Sequence, residues 1–223
     1  MTAQQPPTTG ARLGVDQAIE FWNTRHRKHG ELLSGGDMTY DHATNEAFYA
    51  LRLGRLLDIV GTSVSAVAPL RILDAGCGKG WLSRELTRCG HRVDGIDSSE
   101  EAIAECQRRA TGTDRYTVSR LDHWAPSYLY DAVVTLDVLF HLMDDNVWRT
   151  SVVNLAGSVR LGGLIVLADH NADADHLWGD YQITRSRQRY LDLVPPLGFT
   201  YQGFSPYRFR DNAAGFHVFR RIA

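Results

Sequence analysis

Apolar positions change rhythm several times along this chain of 223 residues, and each change marks an expected element. Ile19, Phe21 and Trp22 supply the apolar side of a helix from Val15 to about His29, which the run "SGGD", Ser34 to Asp37, interrupts. Tyr49, Leu53, Leu56, Leu57 and Val60 recur at i, i+4, i+7, i+8 and i+11, so a second helix from about His42 to Val60 has one face to bury. From Arg71 the pattern shortens: Ile72, Leu73 and Ala75 read as a strand, Gly76, Gly78 and Gly80 as a tight turn, and Leu82 and Leu86 as the start of a helix. Val93 and Ile96 predict a second strand ending at Asp97, with Ser98 and Ser99 as helix cap, Glu100 and Glu101 in the first turn, and a helix to about Ala110. A third strand starts at Tyr116 and passes into a loop at Asp122 and His123. The unbroken apolar run Ala132 to Leu136 is that of a strand buried on both faces.

The later elements follow the same logic. A helix from about Asp145 to Arg160 is expected to stop at Gly162 and Gly163, before a fifth strand from Leu164 to Ala168. A helix from about Gln182 to Val194, a break at Pro195 and Pro196, and strands at Phe199–Phe204 and Phe216–Arg221 complete the chain. Strands alternating with helices point to an α/β fold around a parallel sheet.

Glycines at alternate positions let a backbone take positive φ or let a ligand lie against the main chain, and the helix behind them offers unpaired N–H groups. A strand, a glycine turn and a helix also open dinucleotide-binding folds, so the glycines alone do not choose a ligand. Asp74 does, because a carboxylate two residues before Gly76 is expected to project at the mouth of the loop, where it would repel a pyrophosphate. S-adenosylmethionine carries a sulfonium and an ammonium and no phosphate. With its first motif "LDAGCGKG", the stretch resembles the class I S-adenosylmethionine-dependent methyltransferases, and the resemblance spans about Arg71 to Ile222. It implies a Rossmann-like three-layer sandwich with a mostly parallel seven-stranded sheet, a C-terminal antiparallel hairpin and an N-terminal helical lid. The expected division is a disordered tail over 1–13, the lid over 14–62 and the cofactor-binding domain over 63–223. Trp22, Tyr40, Tyr49 and Arg52 are the lid candidates.

On the same resemblance the cofactor S-adenosyl-L-methionine would be held by Asp74, Gly76, Cys77, Gly78, Gly80, Asp97, Ser98, Asp122, His123 and Asp137. Asp97, about 20 residues beyond the glycine turn, can accept from both hydroxyls of a ribose. Asp122 offers an acceptor to the adenine amino group. In "DVLFHL", Asp137 to Leu142, Phe140 stands where family members commonly carry glutamate before the histidine, which implies a more apolar substrate pocket.

Methyl transfer chiefly requires donor and acceptor to be held in contact, but a hydroxyl acceptor must lose its proton, and histidine does that near neutrality. His141 ends the fourth strand, and Asp169 and His170 the fifth. Either His141 as base with Asp169 as its partner, or His170 as base, is expected. A metal-assisted variant would draw on Asp137, Asp169 and Asn171, but His170 interrupts the pattern and no metal is expected. The alternatives are an N-methyltransferase acting by positioning alone and, from other classes, a nicotinamide-dependent oxidoreductase, which Asp74 disfavours, and a catalytically silent methyltransferase-like binding module.

Charge adds little. A net charge of −2 gives no reason to expect nucleic acid, and the basic run Arg25 to His29 reads as a solvated helix face. Cys77, Cys89 and Cys106 show no zinc or redox spacing and suit a reducing compartment. The N-terminus "MTAQQPPTTGA" is polar, no window is apolar enough to span a bilayer, and the expectation is a cytoplasmic enzyme with a small-molecule substrate.

Overall fold

The computed structural model describes residues 13–63 and 69–223, so the tail expected to be disordered lies outside the described residues except for Leu13. The region expected as the lid comprises α1 (Val15–Lys28), the single turn α2 (Glu31–Ser34) and α3 (His42–Ser63). Then follow β1 (Arg71–Ala75), α4 (Trp81–Arg88), β2 (Arg92–Asp97), α5 (Glu100–Arg108), β3 (Arg115–Val118), β4 (Tyr130–Thr135) and α6 (Asp145–Gly157). The chain closes with β5 (Val159–His170), β6 (His176–Trp178), β7 (Gln182–Thr184), α7 (Arg187–Leu193), β8 (Phe199–Pro206) and β9 (Ala214–Arg221).

Seven strands form one sheet in the order β3-β2-β1-β4-β5-β9-β8. The first five are parallel, whereas β9 runs antiparallel between β5 and β8. Successive side chains on a strand point to opposite faces, and the core divides accordingly. Leu73, Val133, Ile165 and Leu167 pack against Trp148, Val152 and Leu155 of α6 and Tyr190 and Leu193 of α7. Ile72, Ala132, Val134, Leu164 and Val166 pack on the other face against Phe48, Leu56 and Val60 of α3 and Leu82 and Leu86 of α4. This is the expected three-layer sandwich. It places the carboxyl ends of β1, β2 and β4 side by side, where the strand order reverses and a crevice opens.

Two stretches differ from their sequence reading. Gly162 and Gly163 do not stop a helix: α6 already ends at Gly157, and Val159 pairs with Tyr130 before the register shifts so that Leu164 pairs with Ala132. Gly162 takes φ +79° in that irregularity, and a Cβ on Gly163 would lie 2.7 Å from the Asp131 carbonyl oxygen. The helix expected from Gln182 shrinks to α7, because residues 182–184 pair with 176–178 in a small antiparallel hairpin. Between hairpin and helix, Arg185 is fully buried, donating to the carbonyl oxygens of Leu139 and Leu142 at 3.3 and 2.7 Å and pairing with Asp145 at 2.9 Å. Nothing local in the sequence distinguishes such an arginine from a solvated helical one.

The lid is joined to the sheet by a second buried arginine. Arg52 on α3 makes an ion pair with Asp137 just beyond β4, and its guanidinium lies 4.1 Å from the Phe48 ring centroid and 4.3 Å from that of Tyr49. Asp137 adopts φ +58°, a left-handed backbone unusual for a residue with a side chain. Removing Arg52 would leave the Asp137 carboxylate, whose side chain is only 22% exposed, without its counter-charge. Arg52→Met is therefore expected to cost about 3 kcal/mol of stability, read as a lower midpoint in urea. An unchanged midpoint would show that the pair is not what fastens α3.

Candidate active site

The loop after β1 is shaped by hydrogen bonds that glycines make possible. Gly76, Gly78 and Gly80 have φ of +84°, +51° and +78°. The N–H groups of Gly76 and Cys77 both donate to the Ile96 carbonyl oxygen, at 2.7 and 2.9 Å, which turns the loop over the end of β2. The Asp97 carboxylate accepts from the N–H of Gly78 at 2.9 Å and of Ser99 at 2.8 Å. Asp74 lies beneath the loop rather than at its mouth, fully buried, accepting the Ser83 hydroxyl at 2.6 Å. Burial pushes its carboxyl up to about 6, and burial likewise raises that of Asp97.

This loop is one wall of a cavity of about 530 Å³, within the range of about 300–1,000 Å³ usual for small-molecule sites. Asp74, Gly76, Cys77, Gly78, Asp97, Ser98, Asp122, Asp137, His141 and His170 all line it. Gly80, His123 and Asp169 do not. Gly80 turns into α4, with the space of its missing Cβ filled by Cys106 Sγ at 2.8 Å. His123 points outward, with two-thirds of its side chain exposed. Asp122 reaches the cavity already bound by Arg120 through two hydrogen bonds, at 3.0 and 2.6 Å. Burial alone would raise its carboxyl, but the Arg120 guanidinium holds it below the usual range.

Asp169 is sealed inside, accepting the Tyr190 hydroxyl at 2.5 Å and the His170 backbone N–H at 2.7 Å. Its nearest imidazole is therefore that of His170, whose Nδ1 lies 3.5 Å away, and not that of His141. Asn171 accepts from Arg187 at 3.3 Å. The three oxygen donors of the metal-assisted variant are thus spread over different surroundings, with Asp137 committed to Arg52. Among the described residues no group of three or more His, Cys, Asp or Glu is placed to hold a metal ion.

The opposite wall is the lid. Trp22 and Tyr49 line the cavity, as do Arg25 and His26. Tyr40 instead packs against Phe48 and Phe209. The basic run was a misleading signal, since only Arg27 and Lys28 are exposed. Arg25 donates to the carbonyl oxygens of Ser34 and Gly36 at 2.7 and 3.1 Å, closing the end of α2. His26 is 3% exposed. Polar contacts fasten α1 and α2 to the cofactor side: Ser99 Oγ donates to Asn23 at 2.8 Å, Lys79 Nζ to the His29 carbonyl at 2.8 Å, and Arg27 pairs with Glu101 at 2.9 Å. Glu31 pairs with Arg84 and, at 3.4 Å, with Arg109. The hairpin β6–β7 supplies the remaining edge. The Tyr181 carbonyl oxygen lies 3.1 Å from His141 Nδ1, and the rings of Trp22 and Phe140 stand 4.8 and 4.6 Å from that imidazole. Among the described residues no helix is long and apolar enough to cross a membrane.

Residues 72–163 match the family described as "Methyltransferase domain". A ubiquinone biosynthesis O-methyltransferase of Rhizobium etli is 33% identical over 184 residues, covering 74% of this chain and 67% of that protein. One of Rhizobium leguminosarum bv. trifolii is 35% identical over 180 residues, covering 74% and 66%. Against such curated relatives the chain spans from 42% to 67% of their length. The magnesium protoporphyrin IX methyltransferase of Synechocystis PCC 6803, solved with bound S-adenosylmethionine, superposes with a TM-score of 0.68 at 19% identity, over 99% of this chain and 100% of that one. That likeness in fold extends over α1, α2 and α3. Strand order, glycine loop and the acidic end of β2 agree with the match in sequence: the chain belongs to the class I S-adenosylmethionine-dependent methyltransferases.

Proposed function

We propose that the family's methyl transfer is directed here at an oxygen of a small organic acceptor, such as a secondary metabolite or sugar, with His141 as general base. The cavity supports S-adenosylmethionine as donor on charge. Two carboxylates, the buried Asp74 and the half-buried Asp97, flank the glycine loop, and burial raises both. A cationic ligand relieves that cost, and a pyrophosphate would add to it. Asp97, Gly78 and Ser98 would hold its ribose, Asp122 its adenine edge, and Asp74, Gly76, Cys77 and Asp137 its methionyl part. Bound there, it supplies an electrophilic methyl group on a sulfonium whose charge is lost on transfer.

The observation that carries the base assignment is the contact between His141 Nδ1 and the Tyr181 carbonyl oxygen. A carbonyl can only accept, so Nδ1 carries the proton and Nε2 keeps its lone pair. Burial pushes this histidine down to about 4, so the ring is neutral across the physiological range. Such a ring is a weak base at rest. Its protonation is offset at transfer, because the positive charge arriving on the imidazole replaces the one leaving the sulfur, and the cavity's net charge is unchanged. Trp22, Tyr49, Trp81, Phe140 and Tyr181 give the acceptor side flat apolar walls suited to a ring. The names of the curated relatives support oxygen as the accepting atom. A second reading places the base at His170, because Asp169 and the Thr184 hydroxyl, 3.3 Å from its Nδ1, orient that ring at the same cavity.

His141→Ala is expected to lower kcat by roughly 10²-fold while affinity for S-adenosylhomocysteine barely changes. With S-adenosylmethionine saturating, the wild-type acid limb of kcat/KM for the acceptor should fall near pH 4 and vanish in the variant. A loss seen only in His170→Ala would move the base to His170. Near-wild-type kcat in both variants would leave transfer by positioning alone.

A separate test addresses the charge argument. The folded-state value of Asp74 is raised from 3.8 to about 6, so its protonated form stabilises the fold fully below the unfolded value, and that contribution is lost as pH rises through about 6. Asp74→Asn should therefore be more stable than wild type by about 2 kcal/mol at pH 7.5 and nearly equal to it at pH 4. It should also bind S-adenosylmethionine more weakly. Equal stability at both pH values would mean that the carboxylate is compensated within the protein.

A further inference from the structure

His26 is a buried group that the chemistry above does not use. It sits in the last turn of α1, is 3% exposed, and among the described residues has no hydrogen-bond partner for Nδ1. Burying a polar atom without a partner is costly, and a ligand that completes the bond removes the cost. Its orientation is informative. The atom nearest to the position a Cβ would occupy on Gly78 is His26 Cε1, at 3.5 Å. Cε1 lies between the two ring nitrogens, so the nitrogen-bearing edge of the imidazole faces the glycine loop. Gly78 is also the residue whose N–H binds Asp97 at 2.9 Å. A lid imidazole and a strand-end carboxylate thus approach the same glycine, and both line the cavity.

We propose that His26 is a ligand-binding residue: opposite Asp97, it forms the second half of a grip on the vicinal hydroxyls of a ribose, so that the nucleoside itself holds α1 closed over the loop. The inference rests on S-adenosylmethionine as cofactor and goes beyond it by giving the lid a direct part in recognising the sugar. The chemistry matches. A carboxylate can only accept, whereas a neutral imidazole both donates and accepts, so the two can satisfy a diol that neither satisfies alone. Neutrality is secured by burial, with Lys79 and Arg25 adding to it, which pushes His26 down to about 4. The fastening of α1 by Asn23, Arg27 and the His29 carbonyl keeps the ring in place without occupying its nitrogens.

The test is titration calorimetry of the full chain with S-adenosylhomocysteine and with its 2′,3′-dideoxy analogue, on wild type, His26→Phe and His26→Gln, each checked for an unchanged unfolding profile. His26→Phe should bind S-adenosylhomocysteine roughly tenfold more weakly and the dideoxy analogue as well as wild type does. His26→Gln, which keeps a donor and an acceptor, should recover part of the loss. Equal weakening for both ligands, or for neither, would overturn the proposal and leave His26 as packing. No binding of S-adenosylhomocysteine to wild type would instead remove the cofactor reading, and this inference with it.

Discussion

Two carboxylates at the ends of neighbouring parallel strands, Asp74 buried and Asp97 half-buried, are the constraint around which this molecule is arranged. Asp74 is out of water and Asp97 only partly in it, and burial raises both. The described residues offer them hydrogen bonds, from the Ser83 hydroxyl and from the N–H groups of Gly78 and Ser99, but among them no ion-pair partner. Hydrogen bonds to a charged acceptor soften the cost of desolvation without cancelling it. The positive-φ glycines follow from the same need, since the loop must curl back far enough for Gly78 to reach Asp97 while leaving room above it.

Holding a cavity over those charges requires a roof, and buried arginines fasten it. Arg52 ties α3 to the end of β4, and Arg185 gathers the carbonyls of Leu139 and Leu142 so that His141 is presented beneath the β6–β7 hairpin. Arg25 does the same for the turn after α2. In each case a planar guanidinium satisfies several backbone oxygens or one carboxylate at an irregular junction, which regular secondary structure cannot do. The base proposed for catalysis, the ring proposed to read the ribose and the junction arginines therefore belong to one piece of engineering: polar groups buried at the roof, some satisfied by the chain and some left for ligand.

What the sequence disclosed and withheld follows from range. The glycine turn, the acidic end of β2 and the apolar run of β4 were legible because each is local: a few adjacent residues carry both the conformation and the chemistry. The strand order follows from such units. The partners of His141 and Asp169 were not legible, since Tyr181 and Tyr190 come from segments that read as helix or as nothing in particular. His26 and Arg25 were hidden more thoroughly. Inside a run of five basic residues they resemble a solvated face, and only the packing of α1 against the glycine loop shows that His26 is buried and Arg25 half-buried. The glycines at 162 and 163 misled for a related reason: a bulge forced by the neighbouring strand and a helix stop require the same residue.

The central claim is that this glycine loop is built for a cationic nucleoside and not for a pyrophosphate. Parallel calorimetric titrations of the full chain with S-adenosylmethionine and with NADH test it most directly. The account predicts saturable binding of S-adenosylmethionine, weakening as pH falls below about 6 and Asp74 becomes protonated, and no binding of NADH. Saturable binding of NADH without binding of S-adenosylmethionine would contradict it.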